Sequence, residues 1–227
     1  MPDLFEGYDP GKFFCEMFSR AGAGDTSLDI IDRYASMSLD AMTSRSRDIE
    51  LELFNSGITF TVYTDKDAID RVLPVDPVPR LISASDWEQV DQGVQQRVAT
   101  INAFLADVYG PGRVFRDGVV PRGLVENNAQ YHALMKEVTL RHDNYANIAG
   151  IDLIRDGEGQ FRVLEDNVRT PSGVSYVVEN RNLMLRAFPD LTNGIPLRPV
   201  SDYGTRLRQA LADMAPESNP DPQVALL

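Results

Sequence analysis

Apolar residues recur along this chain with two periods, and the switches between them divide it into elements. Over residues 25–55 the positions Leu28, Ile31, Tyr34, Leu39, Met42, Ile49 and Leu53 follow helical spacing, which predicts two helices or one broken helix. The period then becomes two. Ile58, Phe60 and Val62 alternate with Thr59, Thr61 and Tyr63, predicting a half-buried strand over 57–63. Residues 73–82 carry Pro74, Pro77 and Pro79, so this segment is extended. Its Asp76 and Arg80 read as surface-loop or active-site-loop residues. Ser85 with Glu88 reads as a capping box that opens a long helix. Trp87, Val90, Val94, Val98, Ile101, Leu105 and Val108 form its apolar stripe, and Gly110-Pro111-Gly112 stops it. Arg97 falls near that stripe, as a side chain lying along the apolar surface or as a phosphate contact. Asp117-Gly118 is a turn, and 121–127 is a short helix or turn.

The period of two returns at 147–169. Two apolar runs, one through Ile151 and Ile154 and one through Phe161 and Leu164, flank Asp156-Gly157-Glu158-Gly159. This is a hairpin signal. With Arg155 opposite Gln160, Asp152 falls opposite Val163 and Gly150 opposite Glu165. Alternation then puts Asp152, Val163, Glu165 and Asn167 on one face, with Asp152 and Glu165 as diagonal neighbours. A loop one residue longer or shorter would separate them. Two carboxylates and an amide oxygen suit Mg²⁺ or Mn²⁺. The competing reading is a merely solvated acidic face. After the hairpin, Ser172 is a candidate N-cap. Val174, Val177, Val178, Leu185 and Phe188 trace one face of the following helix. The N–H groups at its start, over 170–173, favour an anion. Arg169 and Arg181 read as anion clamps, or as salt-bridge partners of Asp166 and Glu179. A last helix spans 202–214.

These motifs resemble a known family. Gly150-Ile-Asp-Leu-Ile-Arg155, then Leu164-Glu-Asp-Asn167-Val-Arg169, then Pro171-Ser-Gly-Val-Ser-Tyr176, and finally Glu179-Asn-Arg181 resemble the circularly permuted ATP-grasp proteins of the second, glutathionylspermidine-synthase-like type. The resemblance extends in weaker form over about 57–203. It implies an α+β fold with an ATP-grasp-like mixed or antiparallel sheet and packed helices. It also implies a division into an arm with helices (1–56), a metal-hairpin half (57–215), and a linker opening a further segment (216–227). The activity implied is an ATP-dependent carboxylate–amine ligase that works through an acyl phosphate. Asp152, Glu165 and Asn167 would be the metal ligands, and Mg²⁺ or Mn²⁺ with ATP the cofactors. Arg169 and Arg181 would be catalytic. Thr170, Ser172, Gly173 and Ser175 would bind phosphate or substrate. The substrates would be small-molecule or peptide carboxylates and amines.

The chain departs from the family at Gly150, where non-permuted ligases often carry Arg, and at Asn147, where permuted members often carry His. The phosphate-binding lysines and adenine pocket are expected after the metal half. The sequence, however, stops soon after the linker at 217–222 and its apolar run at 223–227. A truncated chain, or one that needs a partner chain for its missing half, is therefore expected. The alternative function is a non-catalytic ATP-grasp-like scaffold or interaction module.

Composition narrows the classes further. The net charge of −12 over 227 residues argues against nucleic acid as a partner, because basic residues supply that affinity. The single cysteine, Cys15, excludes an internal disulfide and is read as a packed thiol; it fits a cytoplasmic location. No apolar run is long enough to span a membrane, and no signal peptide is visible in residues 1–8. His132 and His142, ten residues apart, match no zinc spacing.

Overall fold

The computed structural model describes residues 4–18, 25–63, 68–136, 138–219 and 221–225, excepting the side chains of 25–28, 60–63 and 68–70. Among these residues the class is α+β. The elements run α1 (Asp25–Ala35), α2 (Leu39–Asn55), β1 (Thr59–Tyr63), β2 (Ala68–Val72), α3 (Ala84–Tyr109), α4 (Arg113–Arg116) and α5 (Arg122–Glu126). Then follow β3 (Gly150–Arg155), β4 (Phe161–Asn167), α6 (Val174–Ala187), α7 (Pro189–Thr192) and α8 (Tyr203–Asp213). Among the described residues there are two sheets of two strands, β1-β2 and β3-β4. The chain forms two compact units.

The first unit comprises Met1–Ile82, Arg155–Gln160 and Gly173–Ser201. Its core joins α1, α2, α6 and α7 through Ile30, Tyr34, Met42, Ile49, Leu53, Leu183, Phe188 and Leu191. The expected pair of N-terminal helices is present, with Leu28 outside the described side chains. Ser38 caps α2 by accepting from the Ala41 N–H, which meets one of the unsatisfied donors of a helix start. Strand β1 pairs antiparallel with β2, Thr59 opposite Val72 and Tyr63 opposite Ala68. The alternation read at Phe60 and Val62 lies outside the described side chains. β2 has no counterpart in the sequence reading, since Asp70 and Arg71 interrupt its apolar pattern.

The proline segment is extended, as its prolines require. Val75, Val78 and Leu81 pack against the core. The Tyr34 hydroxyl donates to the Pro77 carbonyl at 2.8 Å and ties the segment down. Burial pushes the Tyr34 phenol well above its ordinary range, with nearby Asp76 adding to the effect, so it stays a neutral donor. Arg45 binds both Asp190 oxygens, at 2.6 and 3.0 Å, and lies over the Phe188 ring. Arg33 donates to the carbonyls of Asp190, Leu191 and Asn193, which satisfies acceptors left open at the end of α7.

Two expectations about α6 are corrected. Its N-cap is Gly173, at φ 93°, with no side-chain cap bond, so Ser172 does not cap it. Its buried residue is Leu183, flanked by half-buried Tyr176, Asn180 and Met184. Val174, Val177 and Leu185 are exposed. Of the expected stripe, Phe188 just beyond the helix is buried and Val178 half-buried, while the core takes Leu183 in place of the three exposed positions.

The second unit comprises Ser83–Ile154, Phe161–Ser172 and Asp202–Leu227. Its spine is α3. Ser83 caps this helix by accepting from the Asp86 N–H, so the expected Ser85–Glu88 box is displaced by two residues. Trp87 stands exposed in the first turn, and burial along the stripe rises to Val108 at the far end. Asp107 accepts from the Arg113 and Val114 N–H groups and starts α4, with Gly112 left-handed at φ 61°. The Asn102 side-chain oxygen accepts from the Tyr145 and Ala146 N–H groups. Tyr109 stacks between Tyr131 and Tyr145, with ring centroids 5.1 and 6.0 Å away. His132 and His142 lie on short irregular segments, His142 at φ 58°. Pro220 and the last two leucines of the terminal apolar run lie outside the described residues.

Phe188 is fully buried and touches both Tyr34 and Arg45. Phe188→Ala should therefore cost about 3–5 kcal/mol. Urea unfolding followed by far-ultraviolet circular dichroism measures this; a cost below 1 kcal/mol would contradict the core assignment.

Candidate functional site

The hairpin turn is tighter than its sequence suggests. The Asp156 N–H donates to the Gln160 carbonyl at 3.0 Å, and the Gly159 N–H donates to the Asp156 carbonyl at 2.9 Å. Gly159 sits at φ 80°. This is a three-residue loop with a left-handed glycine closing it. Asp156, not Arg155, thus stands opposite Gln160. The Asp156 carboxylate also accepts from the Glu158 and Gln160 N–H groups. Within the first unit the turn is held from below. Arg155 donates to the Gly159 carbonyl at 2.8 Å, lies 4.2 Å over the Phe14 ring and pairs with Glu16.

Taken alone, the shorter loop would put Asp152 and Glu165 on opposite faces. A slip in β4 offsets it. Leu153, Phe161, Val163 and Asp166 all line one cavity of about 500 Å³ against α3. Val163 and Asp166 are three positions apart, and strict alternation would turn them to opposite faces. β4 therefore carries one extra residue between them, a bulge. The open end agrees: a Cβ on Gly150 would lie 3.6 Å from Asn167 Cβ, so Gly150 stands opposite Asn167 rather than Glu165. That same Cβ would come within 2.9 Å of Pro171, so glycine is required here to let Pro171 approach.

The inward face is fixed by charge. Arg97 of α3 donates Nε to Asp166 Oδ1 at 2.6 Å and Nη2 to Asp166 Oδ2 at 2.7 Å. The Arg97 hydrogen bond, with its charge, holds the Asp166 carboxyl below the usual carboxylate range. Glu165 and Asn167 then face away from α3, as does Asp152, the neighbour of inward Leu153. All three are exposed. Asn167 Nδ2 donates to Glu165 Oε1 at 2.9 Å, which aligns the amide beside the carboxylate. Val163, expected on this face, is on the other one.

The outward face offers oxygens from Asp152, Glu165 and Asn167, the donors a hard divalent cation takes, and the exposed Arg162, between inward Phe161 and Val163, shares that face. Among the described residues no group of three or more His, Cys, Asp and Glu side chains could hold a metal. The protein thus offers two carboxylates and an amide, short of a full cage. That donor count suits Mg²⁺, which keeps waters and takes substrate phosphates as its remaining ligands.

Comparison with known proteins gives this hairpin its context. A family described as a circularly permuted ATP-grasp matches residues 79–227. The chain belongs to the circularly permuted ATP-grasp family. An uncharacterized protein of Synechocystis is 37% identical over 223 residues, covering 98% of this chain and 46% of the relative. An uncharacterized protein of Mycobacterium leprae is 37% identical, covering 99% of this chain and 40% of its own length. A Frankia alni protein with the provisional name glutamate–cysteine ligase 2-3 is 35% identical over all of this chain and 26% of its own length. The chain therefore spans less than half the length of these curated relatives.

The other residues singled out in this ATP-grasp chain fall in both units. Arg169 in the second unit donates to Gln130 Oε1 at 2.8 Å, and Arg181 in the first donates to the Arg198 carbonyl at 3.0 Å. Neither is bridged to Asp166 or Glu179. Asp166 is taken by Arg97, and the Glu179 carboxylate accepts from Asn182. Thr170 and Ser172 are exposed in the second unit, Ser175 in the first, where Gly173 opens α6. No helix among the described residues is long and apolar enough to cross a membrane. The sequence reading missed the Arg97–Asp166 clasp. Its signal was an Arg beside the stripe of α3 and an Asp wedged between two outward residues.

Asp166→Asn and Arg97→Met should each speed hydrogen exchange of the β4 amides, and the double variant should add little to either. Because the folded Asp166 value is depressed, its contribution is complete above the ordinary carboxylate pKa of about 3.9. It is lost as pH falls through the lower folded value. Exchange in Asp166→Asn should lack that acid-dependent step; additive effects in the double variant would contradict the clasp.

Proposed function

We propose that this chain is the metal-binding part of an ATP-dependent carboxylate–amine ligase. The observation that supports the reading is the hairpin of a permuted ATP-grasp family member, on which Asp152, Glu165 and Asn167 are exposed and Asn167 donates to Glu165. The provisional ligase names of two Frankia relatives support the same class.

In this reaction a substrate carboxylate oxygen attacks the γ-phosphorus of ATP and ADP leaves. The amine nitrogen then attacks the acyl carbon, inorganic phosphate leaves, and the nitrogen loses a proton. Such chemistry is mainly positioning and charge neutralisation. Asp152, Glu165 and Asn167 would hold Mg²⁺ or Mn²⁺, which supplies positive charge against the phosphates when bound. Arg169 is assigned to the transferring phosphoryl group. Its present partner is a neutral amide, so its charge remains available to an anion. Thr170 and Ser172, and Gly173 with Ser175 at the start of α6, are assigned to phosphate and substrate. The acceptor is assigned as a small molecule or peptide bearing an amine, the class implied by the glutathionylspermidine-synthase-like resemblance.

Mn²⁺ titration calorimetry tests the metal face. The wild-type chain should bind weakly, and an intact protein with nucleotide should bind more tightly. Asp152→Asn and Glu165→Gln should each weaken binding about tenfold or more, since each removes one of few protein ligands. Equal affinity in all three proteins would overturn the assignment and favour the scaffold alternative.

A further inference from the structure

The first unit contains a second cavity, of about 410 Å³, between the proline segment and α6. Its wall is largely apolar and includes Met184, Leu185 and Leu197. Three polar groups break that wall with chemistry that does not cancel within the protein. Arg181 lines the cavity, and among the described residues its guanidinium has a backbone carbonyl as partner and no carboxylate. Arg80 also lines it, but is neutralised by Glu16. Asp76 lines it with one oxygen committed to the Val78 N–H, which leaves the other as an acceptor. Asn180 lines it too, and its amide oxygen is buried with no hydrogen-bond partner. A buried acceptor left without a donor is costly, and a ligand N–H that reached it would remove that cost.

We infer that this cavity binds a free amino acid with an apolar side chain. Each part of such a molecule answers one part of the wall. The α-carboxylate meets Arg181, the cation with no anionic partner. The α-ammonium donates to Asp76 and Asn180, which are both acceptors. The side chain covers the apolar surface of Met184, Leu185 and Leu197. A simple fatty carboxylate would leave Asp76 and Asn180 unmatched, and a simple amine would leave Arg181 unmatched. Few precisely placed polar groups in an otherwise apolar concavity are the usual anatomy of a small-molecule site. The inference deepens the ligase proposal and rests on it for its meaning, because a free amino acid carries both a carboxylate and an amine. The binding itself needs neither ATP nor a metal.

Calorimetry of the full chain in EDTA, without nucleotide, separates this inference from the ligase reading. L-Leucine should bind. L-Leucinamide, which lacks the carboxylate, and N-acetyl-L-leucine, which lacks the ammonium, should each bind at least about tenfold more weakly, as expected when buried polar groups lose their partners. Those two arms use the wild-type protein and do not depend on a variant folding. Arg181→Gln should abolish leucine binding, with Arg181→Lys retaining part of it. Absence of leucine binding at millimolar concentration, equal binding of all three compounds, or unchanged affinity in Arg181→Gln would each overturn the inference. A failed Mn²⁺ titration alongside successful leucine binding would remove the ligase reading and leave the amino-acid site standing.

Discussion

One charged contact decides how the hairpin presents itself. Arg97 takes both oxygens of Asp166, and the planar fork of arginine matches a carboxylate in a single orientation. Asp166 must therefore face α3. Its neighbours Glu165 and Asn167 must then face outward, and β4 must hold one surplus residue to reconcile this with inward Val163. An exposed ion pair contributes little to stability on its own. Here its importance is directional: it selects a register that the apolar pattern alone leaves ambiguous.

The turn end of the hairpin is controlled differently. Arg155 is shielded, stacked on Phe14 and bound to the Gly159 carbonyl. Glycine at 159 satisfies two demands at once. It supplies the left-handed φ, and it leaves room for Phe14, whose ring would come within 2.6 Å of any Cβ there. The tight loop and the bulge are thus separate local solutions, one set by backbone geometry and one by charge.

Much of the fold was legible in the sequence, because the long helices and the hairpin carry clear periods. The helix pair at 25–55, the long α3 and its glycine stop, the extended proline segment and α8 all follow from spacing and from proline and glycine chemistry. What was not legible depended on distant partners. Ser83 and Ser85 are both good caps locally, and only the actual helix start separates them. The buried face of α6 was read correctly at Phe188 but not at Leu183, which joins Tyr34 and Leu53 in a core assembled from far along the chain. For the candidate site, the outward residues were legible as residue types, but the register that joins them was not. It required a bulge that leaves no mark in a run of Val163-Leu-Glu-Asp-Asn167.

The bulge changes what that run means as a motif. Glu165-Asp166-Asn167 reads as three polar residues in series, yet it is two outward donors around an inward clasp. The middle residue answers to a position 69 residues earlier, while its neighbours answer to solvent or a ligand. The two kinds of position are under different constraints. Substitution at 166 is coupled to substitution at 97, so the pair can drift together to another complementary pair without disturbing the outward face. Residues 165 and 167 have no such exchange partner in α3. In a set of related chains, covariation between 97 and 166 would trace the register, and independent invariance at 165 and 167 would trace the chemistry.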